Sequence, residues 1–140
     1  MRKLLLLILP VVLFISCESL EKSAKDCSPQ ACTMLFATVS VKFTDSNGNL
    51  LAVKNYAAIN KRTNKSMLND FIPDTVYAKG YYPVVTDANL NDLSGEGDII
   101  VVKASHPITN ATKEIQFLVS GGKCACHVEK ISGPDTVRFE

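Results

Sequence analysis

From Ala37 to Thr44 the chain alternates. Ala37, Val39, Val41 and Phe43 are apolar, while Thr38, Ser40, Lys42 and Thr44 are polar. A two-residue period sends the two sets to opposite faces of an extended chain and predicts a half-buried strand. The alternation stops at "DSNGN", where Asn47-Gly48 predicts a hairpin turn because both residues tolerate positive φ. The run from Leu50 to Arg62 is then expected to pair back antiparallel on the first strand, with "TNKS" turning the chain away.

Five further runs carry strand patterns. "GYYPVVTD" contains Pro83, which cannot donate to a ladder and belongs on an edge strand. In "GDIIVVKAS", Ile100, Val102 and Ala104 fall on one face and Ile99 and Val101 on the other. "TKEIQFLVS" alternates through Ile115, Phe117 and Val119, and "KCACHVEKI" and "DTVRF" complete the set. Gly121-Gly122 predicts a tight turn between two of these runs. No segment sustains an apolar stripe of helical period, and the best helical candidate is the short stretch from Asn89 to Ser94. The pattern predicts an all-β domain, an antiparallel β-sandwich of about seven strands, with no internal repeat.

The stretch "TVSVKFTDSNGNLLAVKNY" resembles the opening hairpin of transthyretin-like and carboxypeptidase-regulatory-like β-sandwich domains, which carry an alternating strand, an "xDxxG" turn and a small apolar return. The resemblance covers about a sixth of the 114-residue domain, and the later glycine-rich element of those families is not evident. It implies a transthyretin-like sandwich, with an immunoglobulin-like arrangement as the alternative, and implies no function.

The N-terminus is a separate unit. Arg2 and Lys3 precede an apolar run from Leu4 to Ile15 broken only by Pro10. That run is shorter than the roughly 20 residues a membrane-spanning helix needs, and the charged start, short core and small residue predict a secretory signal over residues 1–16. "FISC", residues 14–17, resembles the lipobox of bacterial lipoproteins, with Ser16 as the small residue; Phe14 stands where that family usually has Leu. The resemblance implies that Cys17 becomes the acylated (palmitate-bearing) mature N-terminus. The other readings are an uncleaved anchor or an ordinary signal with a stray cysteine. Glu18, rather than Asp, follows Cys17, which in the Gram-negative sorting rule leans toward the outer membrane. Residues 17–26, polar and of alternating charge after Cys17, are expected to form the tether, leaving 27–140 as the domain.

Loss of residues 1–16 takes Arg2 and Lys3 from the 15 basic residues, leaving 13 against 14 acidic ones and a net charge of −1. That balance gives no strong field for nucleic acid or for acidic lipid. The 114 residues from Cys27 onward suffice for one core.

Four cysteines remain in the domain: Cys27, Cys32, Cys124 and Cys126. An even number in an exported chain predicts disulfides. A Cys124–Cys126 bridge is disfavoured if the segment is a strand, because the Cα atoms would lie roughly 6.5–7 Å apart with non-facing Cβ vectors. The two cross pairings, Cys27 with Cys126 and Cys32 with Cys124 or the reverse, both remain open. The alternative chemistry is a metal site or redox dithiol at Cys124, Cys126 and His127. Against it, the C-x-C spacing is tighter than usual zinc spacing, and on a strand His127 would face away from both cysteines.

Other residue groups admit sharper readings beside plainer ones. Ser105 and His106 are adjacent but lie in a turn without a nucleophile motif. Asp87, Asp92, Glu96 and Asp98 could supply calcium oxygens, though not at EF-hand spacing. Lys54, Lys61, Arg62 and Lys65 form a basic cluster suited to phosphate or anionic glycan, or simply a solvated face. Tyr77, Tyr81 and Tyr82 could stack on a sugar or meet a partner strand, or be half-buried sandwich residues. "DTV" at 74–76 and 135–137 resembles the short O-glycosylation sequon of exported proteins in one Gram-negative phylum, with Thr75 and Thr136 as acceptors.

The expectation is thus a non-enzymatic, lipid-anchored envelope protein whose disulfide-braced sandwich binds or supports an envelope protein or glycan, without a cofactor. The alternative is a periplasmic metal-binding or thiol-redox protein working through Cys124 and Cys126.

Overall fold

The alternating segments form strands where the pattern places them. The computed structural model describes Cys27 and residues 31–68 and 80–140. Among the described residues seven strands run in order: β1 (Thr38–Thr44), β2 (Lys54–Asn60), β3 (Tyr81–Thr86), β4 (Asp98–Ser105), β5 (Thr112–Ser120), β6 (Glu129–Ser132) and β7 (Thr136–Arg138). A 3-10 helix, Asp87–Asp92, follows β3 and meets the helical expectation for that region. The strands build a three-stranded sheet in order β3-β1-β7 and a four-stranded sheet in order β2-β4-β5-β6. The architecture is a β-sandwich, antiparallel throughout except that β1 and β7 run parallel.

The inner faces are the predicted ones. Val41, Phe43, Ile100, Val102, Ala104, Phe117 and Val119 are essentially inaccessible, whereas Ile99 on the outer face of β4 is 38% exposed. Burying the apolar face of each sheet against the other is what drives such a layer pair together. Phe43 centres an aromatic cluster with Tyr82, Tyr56 and Phe139, at centroid separations of 5.4, 6.1 and 6.0 Å. Pro83 lies on an edge strand, as its missing N–H requires. Tyr56 Oη donates to the Pro83 carbonyl at 2.9 Å, tying β2 of the facing sheet to this edge.

The predicted β1–β2 hairpin does not form. Its turn does: Asp45 accepts from the Asn47 and Asn49 amides at 2.8 and 2.9 Å, and Gly48 has φ +87°. Only a single bridge, Thr44 with Leu50, extends it. The chain then crosses to the other sheet, where β2 pairs with β4. The place beside β1 is taken by β7, which sets Val137 against Phe43, while Ala58 of β2 finds an inward neighbour in Val102 of β4. The strand expected over "KCACHVEKI" also begins late, at Glu129.

The crossing from β6 to β7 depends on Gly133. Its φ is +130°, and a Cβ there would lie 2.3 Å from Phe117 Cδ1. Gly133→Ala is expected to cost about 2–4 kcal/mol through combined backbone strain and overpacking, read as a lower urea midpoint.

Candidate functional site

The sequence-predicted cysteines converge at one end of the sandwich, where β1 begins and β3 and β5 end. After β5 no tight hairpin closes at Gly121-Gly122; the turn comes one residue later, over Gly122–Ala125, where the Ala125 amide donates to the Gly122 carbonyl at 3.0 Å. Gly121 and Gly122 lie against the 3-10 helix, their amides donating to Ser94 O at 3.1 Å and Leu90 O at 2.7 Å. A Cβ on Gly121 would come within 2.9 Å of Leu93 and 3.0 Å of the Leu90 carbonyl, so the close approach requires glycine. The loop that follows, 123–128, carries Cys124, Cys126 and His127 in irregular backbone.

Cys27 is bonded to Cys124 and Cys32 to Cys126, with Cα separations of 5.1 and 5.2 Å. Of the two open cross pairings, the structure has this one, and the local Cys124–Cys126 bridge is not made. The segment preceding β1 is thereby clamped twice onto the loop preceding β6.

A hydrogen-bonded array that the sequence did not reveal lies beside the bridges. Thr33 Oγ1 is 2.8 Å from His127 Nε2, and His127 Nδ1 is 2.7 Å from Asp87 Oδ2. The same carboxylate accepts the Ala37 amide on Oδ2 and the Val128 amide on Oδ1, both at 2.8 Å. Burial works against charge on Asp87, but the hydrogen bonds from Ala37, His127 and Val128 outweigh it and hold its carboxyl below the usual carboxylate range. Asp87 thus joins the N-terminal segment, the 3-10 helix and the 123–128 loop through one side chain. The hydroxyl–imidazole–carboxylate order is that of a nucleophile–base–orienter triad. Here, however, the carboxylate also holds two backbone amides, and Thr33 and His127 each adjoin a bridged cysteine, an arrangement that suits a fixed strut. The partners are 40 and 94 residues apart in sequence, so no local signal could have identified them.

The expected metal alternative is not assembled: both cysteines are bridged and both ring nitrogens of His127 are engaged. Among the described residues no three His, Cys, Asp or Glu side chains gather as a metal site. The calcium candidates are likewise dispersed. Asp87 faces His127, Asp92 pairs with Lys65 at 2.7 Å, and Asp98 pairs with Arg62 at 2.6 Å. This also divides the basic cluster, since Arg62 and Lys65 bind carboxylates of their own chain.

Asp98 is the most buried carboxylate described. It accepts from Arg62 Nε and an Arg62 terminal amine, from Asn60 Nδ2 at 2.9 Å and from the Ser94 amide at 3.0 Å. The Arg62 guanidinium, followed by Asn60 and Ser94, overcomes desolvation and lowers its pKa to about 2. A carboxyl depressed in the folded state stabilises the fold above its unfolded pKa and loses that contribution as pH falls through the folded value. The Asp98 contribution, about 2 kcal/mol after allowance for the solvent-screened Arg62, should therefore disappear between about pH 4 and pH 2. Urea titrations should show Asp98→Asn less stable than wild type by that amount near neutrality, with the gap closing toward pH 2.

Ser105 Oγ lies 3.0 Å from Thr112 Oγ1, while His106 Nδ1 accepts from the Ile108 and Thr109 amides, so the two neighbours do not form a nucleophile and base. Tyr82 is buried with its hydroxyl against Val53, and Tyr81 is 46% exposed. Thr136 is exposed on β7. Cys17, Tyr77 and Thr75, together with the signal and tether, fall outside the described residues.

The fold and site together define a β-sandwich whose N-terminal approach is cross-linked to the loop before its penultimate strand. Comparison with protein-family models, curated proteins and solved structures gives no match.

Proposed function

We propose that the chain is a non-enzymatic lipoprotein of the bacterial cell envelope. Cys17 carries the acyl anchor, residues 18–26 form the tether, and the sandwich binds or supports another envelope component, a protein or a glycan. The observation that carries this reading is the double disulfide at the point where the tether meets the domain. Persistent bridges belong to oxidising compartments, the destination that a signal peptide over residues 1–16 implies. Glu18 leads us to place the protein in the outer membrane, and β1 with its "xDxxG" turn keeps a transthyretin-like sandwich beside the immunoglobulin-like alternative, although the opening hairpin that suggested it does not form. Thr75 and Thr136 are the proposed glycan acceptors.

The test compares the full chain with Cys17→Ala in a Gram-negative host. Wild type should sediment with membranes and yield an N-terminal peptide heavier by its acyl chains, and the variant should lose both properties. An unmodified wild-type N-terminus contradicts the anchor. Thiol counting and elemental analysis separate the competing metal or redox reading. Absence of free domain thiols and of bound metal favours a structural role, whereas reactive thiols at Cys124 and Cys126, or a stoichiometric transition metal, favour the competitor. A pull-down from membranes then identifies the partner.

A further inference from the structure

Met34, Leu35 and Phe36 are consecutive and exposed, at 103%, 77% and 67%. The other exposed large apolar residues described, among them Leu50, Ile99, Ile108 and Ile131, occur singly. Neighbours in an extended chain point to opposite sides, so exposure of all three means that the segment stands away from the body of the domain. It is also held there. Cys32 is bridged to Cys126, Thr33 is bonded to His127, and the Ala37 amide is bonded to Asp87. Both ends of the apolar triplet are therefore fixed, and it cannot fold back to cover itself.

We infer that Met34-Leu35-Phe36 is a membrane-contact tip whose occupant is the bilayer surface carrying the anchor. An exposed apolar cluster of this kind marks an interaction site, and its position selects the lipid. It lies at the end of the sandwich where the tether arrives. The ten residues from Cys17 to Cys27 can reach at most roughly 35 Å even when fully extended, which keeps this end next to the membrane. Ile108, in the turn after β4, sits at the opposite end and has no such neighbourhood. The tip would fix the domain's orientation on the bilayer, where a tether alone would leave it free to tumble.

The inference rests on the lipid anchor proposed above, and one experiment separates the two. The chain has no tryptophan, so Phe36→Trp and, as control, Ile108→Trp each introduce a single reporter. The lipidated proteins are reconstituted in vesicles of phosphatidylethanolamine and phosphatidylglycerol, with and without brominated acyl chains. The indole emission of the F36W variant should shift to the blue and be quenched several-fold more strongly than that of the control. Water-like emission and equal quenching in both variants overturn the tip while leaving the anchor standing. If the N-terminal peptide proves unmodified, the anchor reading fails, and vesicle titration of that unlipidated protein decides the tip alone. A blue shift limited to F36W then supports it, and an unchanged spectrum overturns it.

Discussion

Removing both disulfides is expected to destabilise the domain by about 7 kcal/mol, while removing either pair alone costs only about 2–3 kcal/mol. The asymmetry follows from topology. Either bridge alone closes a loop of 97 or 94 residues, a constraint the chain-entropy account values at about 4.7 kcal/mol. Once one bridge is in place, the second closes only the small ring through 27–32 and 124–126, which is worth about 2–3 kcal/mol. Whichever pair is deleted, the survivor still closes the long loop. Urea unfolding of Cys27→Ala/Cys124→Ala, of Cys32→Ala/Cys126→Ala and of the quadruple variant measures this directly. Additive losses would show that the bridges do not constrain the same segment. Since small domains are stable by only about 5–15 kcal/mol, the quadruple variant should be largely unfolded at moderate temperature.

Phe43→Ala is expected to cost about 3–5 kcal/mol. Phe43 is fully buried and touches aromatic rings from three other places in the chain: Tyr56 of β2, Tyr82 of β3 and Phe139 just after β7. Truncation therefore leaves a cavity at the junction of both sheets, in surroundings already fixed by edge-to-face contacts. Phe43→Leu keeps most of the volume and should cost under about 1.5 kcal/mol. Equal losses for the two variants in denaturant titrations would mean that the site tolerates collapse and that the cluster does not organise the core.

The strands β1, β4 and β5 are legible because each buries one face only, so the two-residue period is written directly in Val39-Val41-Phe43, Ile100-Val102-Ala104 and Phe117-Val119. Strand pairing is less so. Asn47-Gly48 signals a turn, and the turn is present, but a turn does not determine which strand fills the neighbouring place. That place goes to β7, more than 90 residues downstream, through contacts with no local signature. The 123–128 loop reads as a strand because its residue types permit one, yet its backbone is set by the bridges and by Asp87. The candidate site divides in the same way. The cysteines can be identified by count and compartment, and the local pairing set aside by geometry, but the choice between cross pairings depends on the loop's path. Asp87 and Thr33 are single polar residues far from His127 in sequence and become visible only once the chain is folded.

The covalent clamp between the N-terminal approach and the 123–128 loop underlies the whole candidate site, and non-reducing tryptic mapping reads it without any intermediate inference. Trypsin releases 26–42, containing Cys27 and Cys32, and 124–130, containing Cys124 and Cys126. Without reduction the two peptides should appear as one species with both bridges intact, resolving into two on reduction. Recovery of either peptide alone from unreduced, alkylated native protein, carrying blocked thiols or an internal bridge, would contradict it.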